Sequence, residues 1–422
     1  MIVFIVAFII LLVIGVPISI SIGASAVLGC VSLGYPLVVI GQKMVSGIDS
    51  FLLIAVPLFI LAGNLMNAGK ITEKIFDTAK EMVGWIPGGL AHANVVASII
   101  FAGMSGSAVA DAGGLGAIEM EAMTKNGYDE EFSGAVTAAS SVIGPIFPPS
   151  IPLIIYGSVA SVSVDKLFMG GVVPGVLMGF LLMAMIFVFA VKRGYERHPF
   201  NFVNLIKQFL SSVLALITPL IILSGFTLGW FTPTEASSIA VIYSLLIAIF
   251  VYRTLDWNTF KKCLKDSAIS SANTLFIIGT STLFTYIMAM EGISKKFAGF
   301  ILGVSDETAV ILMVINILLL VLGMVMEPGA ILTLMLPVLL PIANGLGLDL
   351  VHFGVMIVLN LMIGQVTPPF GVCLFVISDV NKIKLESLYK SILPFLIPLL
   401  ATLLMVTYIP GTVTWLPNAL LG

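Results

Sequence analysis

A short segment that occurs twice in this chain interrupts two long apolar stretches with paired prolines. The copies are Ser141–Pro149 and Leu361–Pro369, which share the pattern Ile-Gly-x-x-x-Pro-Pro, so that Gly144 of the first corresponds to Gly364 of the second. Proline lacks a backbone N–H and its ring clashes with the preceding turn, so two consecutive prolines end a helix. In a bilayer, freed carbonyls are tolerated only where protein buries them or they line a wet cavity. The pattern predicts two broken helices at membrane depth, as at a transporter's binding site; two ordinary proline kinks are the alternative.

The composition indicates a membrane protein with many helices. The chain has 422 residues, of which 59% are hydrophobic and 10% are charged, whereas soluble domains carry about 25% charged residues. Apolar runs of about 20 residues recur along nearly the whole length. They are continuous rather than alternating, which argues against a β-barrel. We therefore predict an all-α polytopic membrane protein, in which apolar residues 2–14 form a retained first helix rather than a signal peptide.

Charge and metal-binding side chains argue against several other classes of protein. The net charge is −3, and no basic patch suggests a nucleic-acid partner. The cysteines and histidines are too dispersed for a disulfide framework or a metal cluster; they are Cys30, Cys263, Cys373, His92, His198 and His352. An intramembrane enzyme would need a nucleophile–base pair or metal ligands at membrane depth. No His or Cys lies near the glycine-rich segments discussed below, so we expect neither an enzyme nor an organic cofactor.

Four other pairs of identical residues have the same separation in sequence as Gly144 and Gly364. They are the pairs Gly103 and Gly323, Gly127 and Gly347, Asp129 and Asp349, and Gly134 and Gly354. A constant offset of this kind indicates an internal duplication. Each half then has five crossings and one hairpin that enters and leaves on the same side. An odd number of crossings inverts the second half relative to the first, so we predict inverted repeats.

The hairpins are predicted from apolar runs with a small-residue break, at Ala91–Met123 and Val310–Ala343. The amphipathic segment Lys70–Trp85 is predicted to lie in the membrane surface, with packing on a neighbouring helix as the alternative, and Arg253–Lys265 is predicted to be a basic loop.

The predicted units are scaffold helices of repeat 1 (1–68), the amphipathic surface helix (69–86), hairpin 1 and the first broken helix of a transport domain (87–166), a helix and cytoplasmic linker (167–210), scaffold helices of repeat 2 (211–290), a surface helix with hairpin 2 and the second broken helix (291–380), and a C-terminal helix (381–422).

The distribution of positive charge predicts the orientation. With both termini outside, most of the 19 Lys and Arg residues fall in cytoplasmic segments, in agreement with the positive-inside rule. The exceptions are Lys43, Lys166, Lys295 and Lys296. We therefore expect both termini on the periplasmic side.

The two breaks could each hold a monovalent cation. Unwound backbone supplies carbonyl oxygens that replace part of the hydration shell of Na⁺. One cage would combine carbonyls of Gly144–Phe147 with the hydroxyls of Ser105 and Ser107. The other would combine the carbonyls of Gly323–Met326 and Gly364–Thr367 with the Thr367 hydroxyl. The N-termini of the resumed half-helices would attract an anion. The alternative role for Ser105, Ser107 and Thr367 is close helix packing.

Acidic residues near these segments have several possible roles. Asp111 and Glu327 lie close to the hairpin tips, where a carboxylate is costly and a functional or paired role is expected. A helix cap is the alternative for Asp111. Glu235 is predicted to start a helix, whereas Glu119 and Glu121 are predicted to be solvated.

Three motifs together are similar to those of a known family. Gly103–Asp111, Gly144–Pro149 and Gly364–Pro369 resemble the large membrane subunit of tripartite ATP-independent periplasmic (TRAP) transporters, and the resemblance covers essentially the whole chain. It implies an elevator-type transporter in which a transport domain, with both hairpins and both broken helices, moves against a scaffold. It also implies a four-helix small membrane subunit (Q type), a periplasmic substrate-binding protein (P type), and sialic acid or a C4-dicarboxylate as substrate.

The resemblance implies sites for two or more Na⁺ ions and for the anion. The first Na⁺ site would comprise Ser105, Ser107, Gly144, Phe147 and Pro149, and the second Gly323, Met326, Gly364, Thr367 and Pro369. The anion would lie between the hairpin tips, in the vicinity of Ser105, Gly106, Asp111, Pro148, Glu327 and Pro368. No metal other than Na⁺ is expected.

The sequence thus predicts Na⁺-coupled uptake of a small organic anion across the bacterial inner membrane, in contact with the lipid bilayer. A stand-alone Na⁺/carboxylate symporter without a binding protein is the first alternative. A purely structural subunit is the second, and the duplication of the breaks argues against it.

Overall fold

The computed structural model describes residues 2–197, 199–227 and 229–422, so Met1, His198 and Leu228 lie outside the described residues. The described residues form helices and connecting turns. The first half contains α1 (Ile2–Val13), α2 (Ile18–Ser32), α3 (Val38–Ile48), a 3₁₀ turn (Phe51–Ile54), α4 (Ala55–Ala68), α5 (Ile71–Val83), α6 (Gly89–Ser105), α7 (Ala108–Ala110), a π turn (Asp111–Leu115), α8 (Gly116–Lys125), α9 (Glu130–Ser141), α10 (Ile151–Ala160) and α11 (Val164–Arg193).

The second half repeats this order of elements from its third helix onward. It contains α12 (Phe202–Thr227), α13 (Pro233–Leu246), a π turn (Ile247–Val251), α14 (Trp257–Met290), α15 (Ile293–Leu302), α16 (Thr308–Val325), α17 (Pro328–Gly345), α18 (Leu350–Gly364), α19 (Val372–Asn381), α20 (Leu385–Tyr408) and α21 (Gly411–Leu421).

Element boundaries keep the separation found in the sequence. The second hairpin arms begin at Ala108 and Pro328 and end at Lys125 and Gly345, and each pair has the same offset as Gly144 and Gly364. The first halves of the broken helices, α9 and α18, begin with that offset too. Both Pro-Pro peptide bonds, Pro148-Pro149 and Pro368-Pro369, are cis. The duplication is therefore a duplication of structure as well as of sequence.

Equivalent helices of the two repeats run antiparallel. Asn64, near the end of α4, donates from Nδ2 to the hydroxyl of Ser267 in the first part of α14, at 2.8 Å. The end of α3, which precedes α4, packs on the later part of the same helix, where Gly47 lies against Thr282. Likewise, Phe189 near the end of α11 stacks on Phe395 in the first half of α20. This confirms the inverted repeats.

Each hairpin packs on the broken helix of the other repeat as well as on its own. A Cβ on Gly113 of the first hairpin would lie 3.3 Å from Val376 of α19. A Cβ on Gly329 of the second would lie 3.5 Å from Ile155 of α10. This reciprocal exchange places both hairpins and both breaks in one continuous core, which also contains α11, α18 and α20.

Eight helical stretches among the described residues are long and apolar enough to cross a membrane. They include both arms of the second hairpin, Thr308–Val325 and Pro328–Gly345, so length alone does not distinguish a crossing from a hairpin arm. The chain is thus a multi-pass membrane protein.

Lys166 Nζ donates to the carbonyl of Gly422 at 2.8 Å, whereas Arg193 at the other end of α11 pairs with Asp129. The C-terminus therefore lies at the end of α11 opposite to Arg193.

Two predictions about individual segments were wrong, and one helix was not predicted. Arg253–Lys265 is mostly helical rather than a loop, because Asp256 caps α14 by accepting from the backbone N–H of Thr259 at 2.9 Å. Residues 381–422 form two helices rather than one, α20 and α21. The sequence reading also missed α3.

The amphipathic helix α5 packs on protein. Its apolar residues Ile71, Ile75 and Ala79 are buried, and the helix contacts α6 and α12. Ser212 of α12 donates to the carbonyl of Lys74 at 3.0 Å. The apolar face is therefore covered by neighbouring helices, as the alternative prediction states, and α5 connects α12 to α6, the first arm of hairpin 1.

Candidate functional site

The tip of hairpin 1 lies on the first helix break. Gly106 at the tip has a φ of +59°, and a Cβ there would lie 2.6 Å from the carbonyl oxygen of Pro149. On the facing side, the nearest tip atoms to a Cβ on Gly144 would be those of the Ser107 backbone, at 3.9 Å. Only glycine combines this left-handed conformation with so close an approach to another backbone. The tip therefore contacts both ends of the Gly144–Pro149 break.

The tip of hairpin 2 makes a closer version of the same contact. A Cβ on Gly364 would lie 2.6 Å from the carbonyl carbon of Gly323 and 2.7 Å from its Cα. Beside it, the backbone N–H of Gly371 donates to the carbonyl of Met324 at 3.2 Å. Two backbones in direct contact leave no room for a side chain, so only glycine fits at positions 323 and 364.

Side chains hold the two breaks open in different ways. At the first break, Ser150 caps α10 by accepting from the backbone N–H of Leu153 at 3.2 Å, and its hydroxyl donates to the carbonyl of Pro145. At the second break, the Thr367 hydroxyl donates to the carbonyl of Ile363 at 2.7 Å, and the Tyr389 hydroxyl donates to the carbonyl of Pro369. The half-helices α10 and α19 thus start next to the hairpin tips, with their positive dipole ends at the breaks.

Buried polar networks fix each first hairpin arm to its broken helix. In the first repeat, Asn94 donates to the Thr137 hydroxyl at 2.8 Å and accepts from Ser140 at 2.6 Å. In the second, Asn360 donates to the side-chain oxygen of Asn316 at 2.8 Å. Ser140 and Asn360 occupy equivalent positions of the two repeats. Buried hydrogen bonds of this kind restrict how the two elements can pack, so each hairpin and break form one unit, although Asn360 Oδ1 has no partner among the described residues.

The loop between hairpin 1 and the first broken helix is fixed by an aromatic cluster. Tyr128 stacks on Tyr195 with ring centroids 4.1 Å apart, and Asp129 accepts from the Tyr195 hydroxyl at 2.9 Å. Burial raises the pKa of Tyr128 to about 12, so this phenol stays neutral at any physiological pH. Arg193 completes the cluster by pairing with Asp129.

The predicted residues of the first Na⁺ site are brought together in part. Ser105 is buried, with 2% of its surface exposed, and its hydroxyl has no hydrogen-bond partner among the described residues. The Ser107 hydroxyl accepts from the backbone N–H of Ala110 at 3.3 Å and so caps the second hairpin arm. Phe147 is turned towards α11, where its ring lies beside Gly175. The free Ser105 oxygen is an available ligand, and the Ser107 oxygen retains a second lone pair.

The predicted residues of the second Na⁺ site divide into two groups. Gly323 and Gly364 are in contact, as described above, and the side chains of Met326 and Thr367 are buried. The Thr367 hydroxyl and the Pro369 carbonyl already have the hydrogen-bond partners named above. The Thr367 oxygen still has lone pairs that can coordinate a cation.

The structure contradicts the prediction for one acidic residue and excludes the alternative for another. Asp111 is not a helix cap, because Ser107 caps the second arm and Asp111 begins the π turn; its side chain is buried. Glu119 is fully buried, so the prediction that it is solvated was wrong. Glu121 is exposed and pairs with Lys125, and Glu235 starts α13 in a capping box with Thr232, both as predicted. Glu327 is exposed at the tip of hairpin 2.

The fold and the paired breaks define a class of protein, a multi-pass permease with inverted repeats whose hairpin tips rest on broken helices. Residues 5–412 match the family model described as "Tripartite ATP-independent periplasmic transporter, DctM component". The chain therefore belongs to the family of TRAP transporter large permeases, and its relatives are named as permeases rather than enzymes.

Several curated relatives are similar over most of this chain. A sialic acid TRAP transporter permease protein of Haemophilus influenzae is 46% identical over 90% of this chain and 62% of that protein. A sialic acid TRAP transporter large permease of Vibrio cholerae is 44% identical over 90% of each. A C4-dicarboxylate TRAP transporter large permease of Vibrio cholerae is 35% identical over 98% of this chain and 96% of that protein. The chain thus spans less than two thirds of the Haemophilus relative.

A solved structure shares the fold. The YdaH transporter of Alcanivorax borkumensis has a TM-score of 0.64 at 12% identity, over 88% of each chain, and is described as having an unusual topology. At this identity the likeness concerns the fold alone.

Proposed function

We propose that this permease takes up a small organic acid anion across the bacterial inner membrane, driven by two or more Na⁺ ions. The observation that carries the proposal is the contact of each hairpin tip with a helix break, through Gly106 and Pro149 in one repeat and Gly323 and Gly364 in the other. Backbone carbonyls freed at such breaks suit a monovalent cation, and the adjoining helix N-termini suit an anion. Both termini are assigned to the periplasmic side by the charge distribution.

The names of the relatives support the proposed substrate class and partners. Relatives named for sialic acid are 46% and 44% identical to this chain, and one named for C4-dicarboxylates is 35% identical. We infer a carboxylate of one of these classes. A periplasmic binding protein delivers it, and a four-helix small subunit enlarges the scaffold. Because hairpins and breaks form one packed core, that core would move as a unit against the scaffold, in an elevator motion.

Uptake into proteoliposomes tests this proposal against the stand-alone symporter. The permease is reconstituted with the small subunit and supplied with labelled sialic acid or succinate, with and without an inward Na⁺ gradient and the binding protein. We expect uptake only when both are present. Uptake that persists without the binding protein would favour the stand-alone symporter, and uptake that ignores Na⁺ would contradict ion coupling.

Removing one hydroxyl from each proposed ion site should weaken the dependence on Na⁺. In Ser105→Ala and Thr367→Ala we expect the Na⁺ concentration for half-maximal uptake to rise by roughly threefold to tenfold, because one oxygen ligand worth about 1 kcal/mol is lost. The measurement is uptake as a function of Na⁺ at saturating substrate.

Matched controls separate ion binding from simple packing. Thr274→Ala removes an exposed hydroxyl that donates to the carbonyl one helical turn earlier, as Thr367 does, and Ser46→Ala removes an exposed serine hydroxyl. Both controls should keep the wild-type Na⁺ dependence. Identical Na⁺ curves for Ser105→Ala, Thr367→Ala and the controls would remove these residues from the ion sites.

A further inference from the structure

Hairpin 1 contains a carboxylate that the proposed transport sites do not use. Glu119 of α8 has 0% of its surface exposed, and neither of its carboxylate oxygens has a hydrogen-bond partner among the described residues. Asp111, earlier in the same hairpin arm, is also buried, with 1% exposed and Oδ2 unpartnered. These two are the buried acidic residues of the described chain, and no Lys or Arg in it is buried beside them.

The helices that pack on α8 bring no positive charge to Glu119. They are α6, α9 and α19 together with the π turn. Their titratable groups are His92 on α6, Glu130 and Glu131 at the start of α9, Cys373 and Asp379 on α19, and Asp111 in the π turn. On α8 itself, Glu121 and Lys125 pair with each other at the surface. Among all of these, Asp111 is the group that interacts electrostatically with Glu119.

Burial and the neighbouring acid both oppose a negative charge on Glu119. An isolated carboxylate is strongly destabilised when it leaves water without a partner, and it takes up a proton instead. A charge on the Asp111 carboxylate adds repulsion, which makes ionisation of Glu119 still less favourable. Ser98 of α6, also buried with a hydroxyl that lacks a close partner, adds a polar group next to Asp111 but none to Glu119.

We propose that Glu119 is a proton-binding site of hairpin 1. Its carboxyl group carries a proton while α8 packs on α6, α9 and α19, and it releases the proton to water when that packing opens. The proton keeps the buried arm electrically neutral, so the stability of the hairpin, and with it uptake, depends on pH. The effect on uptake rests on the proposed function, whereas the protonation of Glu119 does not.

Infrared spectroscopy tests the proposal on the intact protein without any transport. A protonated carboxylic acid has a C=O band that a carboxylate lacks. In wild-type protein labelled with ¹³C-glutamate, in detergent at neutral pH, we expect an isotope-shifted acid band that is lost in Glu119→Gln and kept in Glu121→Gln. Glu121 is the matched control, since it lies on the same helix, exposed and paired. Absence of the band from wild-type protein at neutral pH would overturn the proposal.

Thermal stability gives a second, independent readout. Above the pH at which an exposed glutamate ionises, the unfolded chain loses the proton while folded Glu119 keeps it. The folding equilibrium constant should then fall by up to about tenfold per pH unit, and the loss should end where folded Glu119 itself ionises. Glu119→Gln mimics the neutral acid, so its melting temperature should fall less with rising pH than that of the wild type. Parallel profiles for wild type, Glu119→Gln and Glu121→Gln would contradict the proposal, even if Na⁺-driven uptake is confirmed.

Discussion

Replacing Gly364 with alanine is expected to lower uptake by roughly tenfold to a hundredfold. The new methyl group would lie 2.6 Å from the carbonyl carbon of Gly323 and 2.7 Å from its Cα. These are backbone atoms, so no side-chain rotation relieves the overlap, and the hairpin tip must move away from the break. Overpacking of this kind costs about 1–3 kcal/mol, which corresponds to the expected loss if the displaced tip no longer completes the second ion site.

The equivalent glycine of the other repeat supplies the comparison. At Gly144 the closest atom to a new Cβ would be the carbonyl oxygen of Ser141 at 3.3 Å, and the hairpin tip would be 3.9 Å away. We therefore expect Gly144→Ala to retain much more uptake than Gly364→Ala. Gly345→Ala is the neutral control, because Gly345 ends α17 with nothing within 4 Å of the added methyl group. Equal uptake by all three variants would contradict the contact described at the second tip.

The hairpins and breaks could be predicted because their signal is local and repeated. Proline pairs end a helix whatever surrounds them, and the recurrence of the motif at Gly144 and Gly364, with other landmarks at the same offset, shows that the break is not accidental. The same offset relates Asp129 and Asp349, which directly precede α9 and α18; of the two, Asp349 caps its helix by accepting from the backbone N–H of His352 at 2.8 Å. Hence the hairpins, the breaks and the inversion of the two repeats were correct from sequence.

The errors concern features that depend on which helices meet. Glu119 lies in a short polar stretch with Glu121 and Lys125, and nothing in that stretch tells which side chain faces α6, α9 and α19. The amphipathic pattern of α5 is compatible with a membrane surface and with a protein surface. In the structure its apolar face packs on α6 and α12. The basic residues after Arg253 suggested a loop, yet the cap at Asp256 and an exposed helix face accommodate them. Caps and proline breaks in the local sequence indicate where a helix begins or ends. Which residues each helix face contacts depends on the helices that pack on it, and the local sequence does not show this.

Gly354, where the broken helices of the two repeats meet, is expected to matter for stability rather than for ion binding. Gly354 of α18 packs on Tyr156 of α10, so the contact joins the broken helices of the two repeats. A Cβ on Gly354 would lie 2.3 Å from Cε1 of the tyrosine ring. Tyr156 has 0% of its surface exposed, and its hydroxyl donates to the carbonyl of Leu350 at 2.7 Å. The ring is therefore held at both its edge and its tip and has no space to withdraw.

We expect Gly354→Ala to lose about 1–3 kcal/mol of stability, seen as a lower melting temperature and a smaller yield of monodisperse protein in detergent. Gly299→Ala, in α15, is the control with open space around the added methyl group and should match the wild type. A double-mutant cycle with Tyr156→Leu identifies the cause, because removing the ring relieves the overlap and the combined loss should be smaller than the sum of the two single losses. Strictly additive losses would mean that Gly354→Ala acts through something other than Tyr156, and an unchanged melting temperature would contradict the close packing of α18 on α10.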